Sequence, residues 1–305
     1  MKFELTILGS SSATPIYNRN PTAQVLNIND RLYLIDCAEG TQQQMLRFDV
    51  KASRIDHIFI SHLHGDHYLG LIGLLSSMHL NGRIKPIKLY CPEALKEIIE
   101  VQLMYSETVL QYEIEYVFTN SRLPVVVLEN QDITVETIPL FHRIPCTGFL
   151  FKEKKRLRKL IKEKLELLDV PVQIFTLLKK GFDYTAPDGT VYENQTLTTD
   201  SEEPKSYAYC SDTQYNPLYF DQISHVTLLY HEATFLHNML DRAQETNHTT
   251  ALQAGEIALQ TGAKKLLIGH FSARYKTLVE LLEEATSVFP NTELALEGKT
   301  FIIGD

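Results

Sequence analysis

The chain has 305 residues, 44% hydrophobic and 22% charged, with a formal net charge of −9. This is a globular composition, long enough to bury a large core as one big domain or two small ones. The negative balance excludes a molecule-wide basic field for nucleic acid, so any RNA partner must be met by a local patch. The four cysteines, Cys37, Cys91, Cys146 and Cys210, are far apart and form no C-x-x-C pair, which suits the free thiols of a cytosolic protein better than a disulfide frame. The start Met1-Lys2-Phe3-Glu4-Leu5 lacks the long apolar region of a signal peptide, and no run reaches the length of a membrane span.

In chain order, Phe3 to Leu8 reads as a strand, followed by the small residues Gly9-Ser10-Ser11-Ser12. Ala23 to Ile28 and Leu32 to Asp36 read as a hairpin around Asn29-Asp30, and Gly40 to Phe48 as a helix. The short apolar run His57-Ile58-Phe59-Ile60 reads as a buried strand, and Tyr68 to His79 as a helix. A strand is expected at Ile87–Tyr90 and a helix at Glu93–Met104, opened by Pro92. Strands follow at Glu113–Phe118, Val125–Leu128 and Ile133–Ile138. Further on come strands at Ser206–Ser211 and Val226–Tyr230, a helix at Thr249–Thr261, a strand at Lys265–Ile268 and a helix at Thr277–Phe289. Strands, hairpins and helices in this order suggest an α/β chain with two mixed sheets covered by helices.

Residues 152–182 differ in character. They hold ten basic and four acidic residues, a net +6 that leaves about −15 on the rest. The two readings are an ordinary solvated helix and a projecting arm that meets a polyanion; the charge asymmetry favours the arm.

The chemistry centres on Ser61-His62-Leu63-His64-Gly65-Asp66-His67, four metal-type ligands within six residues on the loop leaving a strand. His62 and His64 can turn to one point, Asp66 and His67 to a second. Imidazole and carboxylate suit zinc, and two metals roughly 3.5–4 Å apart can serve both oxygens of an in-line displacement. His142, Asp212 and His270 each lie just beyond an apolar run. Side-by-side sheets would bring those ends to one rim.

The H-x-H-x-D-H run resembles the signature of the metallo-β-lactamase superfamily. Ser211-Asp212-Thr213, His231-Glu232-Ala233-Thr234, Asn247-His248-Thr249-Thr250 and His270-Phe271-Ser272-Ala273-Arg274-Tyr275 resemble the ribonuclease Z family of tRNA 3′-processing endonucleases, a match running from Leu5 to Ile303. The resemblance implies a single αββα sandwich over residues 1–305, with an inserted basic arm near 152–182. It implies two zinc ions per subunit, one held by His62, His64 and His142, the other by Asp66, His67 and His270, with Asp212 between them. It implies that Asp66 orients and deprotonates the attacking water, that His248 protonates the leaving 3′-oxygen, and that Glu232 orients His248. Arg274 would meet a phosphate near the cut, and the arm, with Lys154, Lys155, Arg156, Arg158 and Lys159, would hold precursor tRNA in a cytoplasmic homodimer. Tyr17 and Val170-Pro171 depart from the family's frequent Lys and Gly-Pro at those places. Two other readings compete. A small-molecule hydrolase of the same superfamily, such as a cyclic phosphodiesterase or arylsulfatase, needs no remote cationic segment. A non-catalytic RNA-binding protein with structural zinc needs neither Asp66 nor His248.

Overall fold

A computed structural model describes residues 2–304. The chain divides into two compact units, one formed by residues 1–152 and 205–305, the other by residues 153–204.

The larger unit is built on two seven-stranded sheets among the described residues. Across the first sheet the strands run Thr300–Ile302, Phe3–Gly9, Ala23–Ile28, Arg31–Cys37, Ile55–Phe59, Ile87–Cys91 and Ile114–Phe118. Across the second they run Thr292–Leu294, Leu266–Gly269, Leu228–Glu232, Ser206–Cys210, Cys146–Glu153, Ile133–Leu140 and Val126–Glu129. The expected hairpin turns on Asn29 and Asp30, both at positive φ (49° and 63°), the conformation that a two-residue hairpin loop requires.

Period-two alternation sorts side chains to the two faces of each sheet. Phe3, Leu5, Ile7, Phe59 and Tyr90 from the first sheet meet Phe149, Phe151, Tyr207, Tyr209 and Tyr230 from the second. Phe59 stacks on Tyr90 with centroids 4.2 Å apart and meets Phe149 edge-on at 5.1 Å. Such pairs add about 0.5–1.5 kcal/mol beyond their area burial. On the outer face of the first sheet, Leu34, Ile58 and Leu89 pack on Leu71, Leu74 and Leu75 of helix Leu71–Leu80 and on Leu95 and Ile99 of helix Ala94–Tyr105. On the outer face of the second, Ala208, Leu229 and Ile268 pack on Ala254, Ile257 and Ala258 of helix Ala251–Thr261 and on Leu281 and Ala285 of helix Val279–Val288. The layers are therefore helix, sheet, sheet, helix.

Two expectations need correction. The helix expected over Tyr68–His79 is broken at Leu69-Gly70, between Gly65–Tyr68 and Leu71–Leu80. Gly70 donates its N–H to Cys37 O at 2.9 Å, and a Cβ there would lie 2.0 Å from Ala38 O, so close backbone contact sets the break. Strand Cys146–Glu153 was not expected at all. Its Gly148 would place a Cβ 2.4 Å from Tyr209 O on the neighbouring strand, so this strand tolerates only glycine there.

The smaller unit has its own core of Leu165, Val170, Leu178, Tyr184 and Leu197. It comprises short helices Lys162–Leu167 and Phe175–Lys179, and two-residue strand pairs that join Lys159–Leu160 to Thr198–Thr199 and Tyr184–Thr185 to Val191–Tyr192. Buried Asn194 knits it together, donating Nδ2 to Leu178 O and Phe182 O and accepting from Thr198 Oγ1, each at 2.8 Å. Residues 152–182 are thus no single solvated helix.

Candidate metal centre

Strands Ser206–Cys210, Leu228–Glu232 and Leu266–Gly269 are mutually parallel, so their carboxyl ends share one rim of the second sheet. Asp212, Glu232 and His270 sit there. His270 takes φ 58°, a left-handed backbone that turns the chain directly after the strand. In the first sheet, Ile55–Phe59 hands over to the loop that carries His62, His64, Asp66 and His67. His142 follows strand Ile133–Leu140.

These seven side chains converge as two sets. His64 Nδ1 lies 3.1 Å from His62 Nε2 and 3.0 Å from His142 Nε2, and Asp212 Oδ2 is 3.6 and 3.7 Å from those two Nε2 atoms. In the second set His67 Nε2 and His270 Nε2 lie 3.6 and 3.4 Å from Asp66 Oδ2, and 3.3 and 3.1 Å from Asp212 Oδ1. Asp212 thus presents one oxygen to each set. A tetrahedron with bonds of about 2.1 Å has edges of about 3.4 Å, so these separations fit ligands around a common centre. Two further observations agree. His67 Nε2 and His270 Nε2 are buried and have no hydrogen-bond partner. The site also pulls on positive charge: burial disfavours the imidazolium of His67, yet Asp212, Asp66 and Asp36 hold its pKa well above the ordinary value. The donor set fits a metal.

Four of the ligands are aimed by a second contact. His67 Nδ1 lies 2.7 Å from Asp36 Oδ2. His142 Nδ1 lies 3.0 Å from Asn247 O, and His270 Nδ1 lies 2.9 Å from Thr234 Oγ1. Asp66 Oδ2 accepts from Ala13 N–H at 2.7 Å. Asp36 was missed by the sequence reading. Fully buried at a strand end, it also accepts from Ser61 N–H at 2.7 Å, Ser61 Oγ at 2.9 Å and Tyr209 OH at 2.5 Å. A lone acid closing the apolar run Leu34-Ile35-Asp36 was its only signal.

His248 sits beside the two sets, between helices. Asn247, at φ 55°, ends helix Leu240–Thr246, and Thr250 opens the next helix with a capping box to Gln253. His248 Nδ1 meets Glu232 Oε1 at 2.8 Å, which leaves Nε2 available to a substrate. Glu232 is fully buried; it also accepts from Thr213 N–H at 2.8 Å and from the Thr234 hydroxyl. Burial opposes charge on His248, but Glu232 outweighs it and raises the pKa to about 9. For Asp66, burial favours the neutral acid, but His67 and His270 hold the carboxyl below its usual range.

His64, Asp66, His142, Asp212, His248 and His270 line a cavity of about 640 Å³, with Ser12, Ala13, Arg143, Phe235 and Arg274 on its walls. The Arg274 guanidinium lies 5.5 Å from the centroid of the Phe235 ring. Lys154, Lys155, Arg156, Arg158 and Lys159 belong to the 153–204 unit. There Arg156 pairs with Glu153 at 3.2 Å, Arg158 with Asp200, and Lys159 with Glu202 at 2.8 Å. Residues 183–203 bring six acids, so the unit holds nine basic and ten acidic residues and is nearly neutral. The +5 of its first half, residues 153–182, is balanced within its own fold.

Fold and site define a protein of the metallo-β-lactamase fold with a His/Asp metal centre. The metallo-β-lactamase fold protein YhfI of Bacillus subtilis superposes with TM-score 0.69 at 18% identity, over 99% of both chains. The short form of human tRNase Z superposes with TM-score 0.70 at 26% identity, over 99% of this chain and 100% of that one. Ribonuclease Z of Bacteroides fragilis is 48% identical over 297 residues, 97% of this chain and 98% of the relative. Ribonuclease Z of Cytophaga hutchinsonii is 47% identical over 306 residues, covering 100% and 97%. Residues 3–159 match the family described as Anti-Pycsar protein Apyc1. The chain belongs to the ribonuclease Z family and, over residues 3–159, to the family described as Anti-Pycsar protein Apyc1. The latter match ends before Asp212, Glu232, His248 and His270. Among the described residues no helix is long and apolar enough to cross a membrane, and all four cysteines are buried and free.

Proposed function

We propose that this chain is a zinc-dependent tRNA 3′-processing endonuclease that removes the 3′ trailer from precursor tRNA, leaving a 3′-hydroxyl on the tRNA and a 5′-phosphate on the trailer. The observation that carries the reading is the Glu232–His248 pair, 2.8 Å apart beside the two ligand sets. It is a proton donor placed for a poor leaving group such as a ribose 3′-oxygen. The relatives' names support the substrate class: an RNA in ribonuclease Z, a tRNA in tRNase Z.

His62, His64 and His142 would hold one zinc, Asp66, His67 and His270 the second, and Asp212 both. Zinc bound there supplies Lewis acidity, which acidifies the attacking water and neutralises charge growing on the phosphate. The chain's own residues do the rest. Asp66, kept ionised, accepts a hydrogen bond from the attacking water and takes its proton. Glu232 fixes the His248 tautomer and keeps the ring charged, so Nε2–H is ready for the leaving 3′-oxygen. Arg274 offers a planar fork to a phosphate near the cut. Basic residues within 152–182, the arm of the sequence reading, hold the tRNA body by phosphate contacts that give register without reading bases. The enzyme works in the cytoplasm as a homodimer, one subunit's arm serving its partner's site.

The near-neutral charge of the 153–204 unit favours a second reading, a hydrolase of small phosphodiesters with the same metal pair. Incubation with a precursor tRNA carrying a 3′ trailer, with product ends mapped, separates the two. A single cut after the discriminator base with 3′-hydroxyl and 5′-phosphate ends supports the endonuclease. Turnover of a small diester with the precursor left intact supports the second.

A further inference from the structure

Two arginines line the metal cavity, and the sequence reading found only Arg274. Arg143 directly follows the ligand His142, and its Nη2 lies 2.8 Å from His64 Nε2. His64 turns its other nitrogen, Nδ1, toward His62 and His142. A neutral imidazole that coordinates through Nδ1 carries its proton on Nε2 and is a donor there. A guanidinium has donors only. The two therefore meet donor to donor, and His64 cannot anchor Arg143. No carboxylate does so either. Among the described residues Arg143 makes no ion pair, in a chain where 38 acids outnumber 29 Lys and Arg, and although Glu39 and Glu245 line the same cavity. Arg274 likewise makes no ion pair among the described residues, and its guanidinium rests over Phe235.

The two arginines follow ligands of different sets, His142 and His270. Arg143 lies against His64, in the first ligand set, while Arg274 lies on the loop leaving His270, in the second. A nucleic-acid strand crossing the centre with one phosphate at Asp212 has a neighbouring phosphate on each side. We propose that Arg143 binds the phosphate that flanks the scissile one on the His64 side, as the counterpart of Arg274 on the His270 side. This rests on the endonuclease reading.

The test compares wild type, Arg143→Ala and Arg143→Lys, all zinc-loaded, on a precursor tRNA with a 3′ trailer and on bis(p-nitrophenyl) phosphate. Arg143→Ala should keep its zinc by elemental analysis. Its KM for the precursor should rise about 10- to 100-fold, the usual worth of a charged hydrogen bond, with a smaller change in kcat. The salt slope of its tRNA affinity should fall by roughly 0.7–0.9, one phosphate contact. The small diester has no flanking phosphate and should lose far less. Arg143→Lys should recover part of the KM, since it restores charge without the fork. A precursor KM and salt slope equal to wild type in Arg143→Ala would overturn the assignment. So would lost zinc with both substrates slowed alike, which would make Arg143 a support for His64. Wild type that leaves the precursor intact while hydrolysing the small diester defeats the endonuclease reading itself, and the assignment with it.

Discussion

The ligand cluster and the 153–204 unit handle charge in opposite ways. Around the cluster, Asp36, Asp66 and Asp212 are drawn into a mostly buried space among histidines, and each carboxylate is fixed by short directional contacts. Charge there is concentrated where a metal cation would meet it. In the 153–204 unit nine basic and ten acidic residues spread over a surface where Arg156, Arg158 and Lys159 are already paired. Lys155, Lys162, Lys179 and Lys180 are exposed and make no ion pair among the described residues. The difference teaches that a cation site is set by burial and aim, whereas a polyanion site is set by the few cations left over once local pairing is complete.

The largest effect should come from breaking the cluster. His64→Ala removes the atom at the middle of one ligand set and should abolish cleavage of tRNA and of a small diester together, with metal lost and the circular-dichroism spectrum retained. Full metal content in that variant would refute the ligand assignment.

Next comes the proton donor. His248→Ala should keep its metal yet cut precursor tRNA about 10²–10⁴-fold more slowly, with a much smaller loss on a diester whose leaving group needs no proton. The pH profile sharpens the point. His248 is raised to about 9, so its acid form is complete at low pH and is lost as pH rises through about 9. Glu232→Gln removes the group that raises it, and the alkaline limb for precursor cleavage should fall toward the ordinary 6.5 or lower. An unmoved limb would mean that another group donates the proton.

Asp36→Asn should act through His67. It keeps the shape but loses the carboxylate at His67 Nδ1, and metal affinity measured by competition with a chelator should weaken about 10–100-fold. Affinity equal to wild type would show that Asp36 serves only the fold. The smallest effect belongs to the leftover cations. Changing Lys155, Lys162, Lys179 and Lys180 together to Gln should lower the salt slope of tRNA affinity by roughly 0.7–0.9 for each that meets a phosphate. An unchanged slope would transfer tRNA binding to other surfaces.

The metal loop was legible because its ligands lie within six residues at a strand end, where local spacing decides geometry. His142, Asp212 and His270 were legible as ends of apolar runs, and the parallel order of their strands brings those ends together. Asp36 was hidden because its role depends on Ser61, His67 and Tyr209, none adjacent to it in sequence. Strand Cys146–Glu153 was hidden because a mid-strand glycine reads as a break until the neighbouring backbone explains it. The charge of residues 152–182 was legible as a string, but its pairing was not, because Asp200 and Glu202 return across Arg158 and Lys159 only in the folded unit. Arg143 gave no signal, since an arginine after a histidine is common until its missing partner is seen.

Asp36 has one more consequence. It ends a strand of the first sheet, and the hydroxyl it accepts from, that of Tyr209, stands on the second. The same carboxylate touches His67. A ligand taken up only by the native rim adds its binding free energy to that of folding, about 4 kcal/mol at a thousand times Kd. Here that linkage has a specific hinge: the two halves of the sandwich cannot part behind the rim without taking the Tyr209 hydroxyl away from the carboxylate that aims His67. Metal occupancy and cohesion between the sheets are therefore one equilibrium read from two ends.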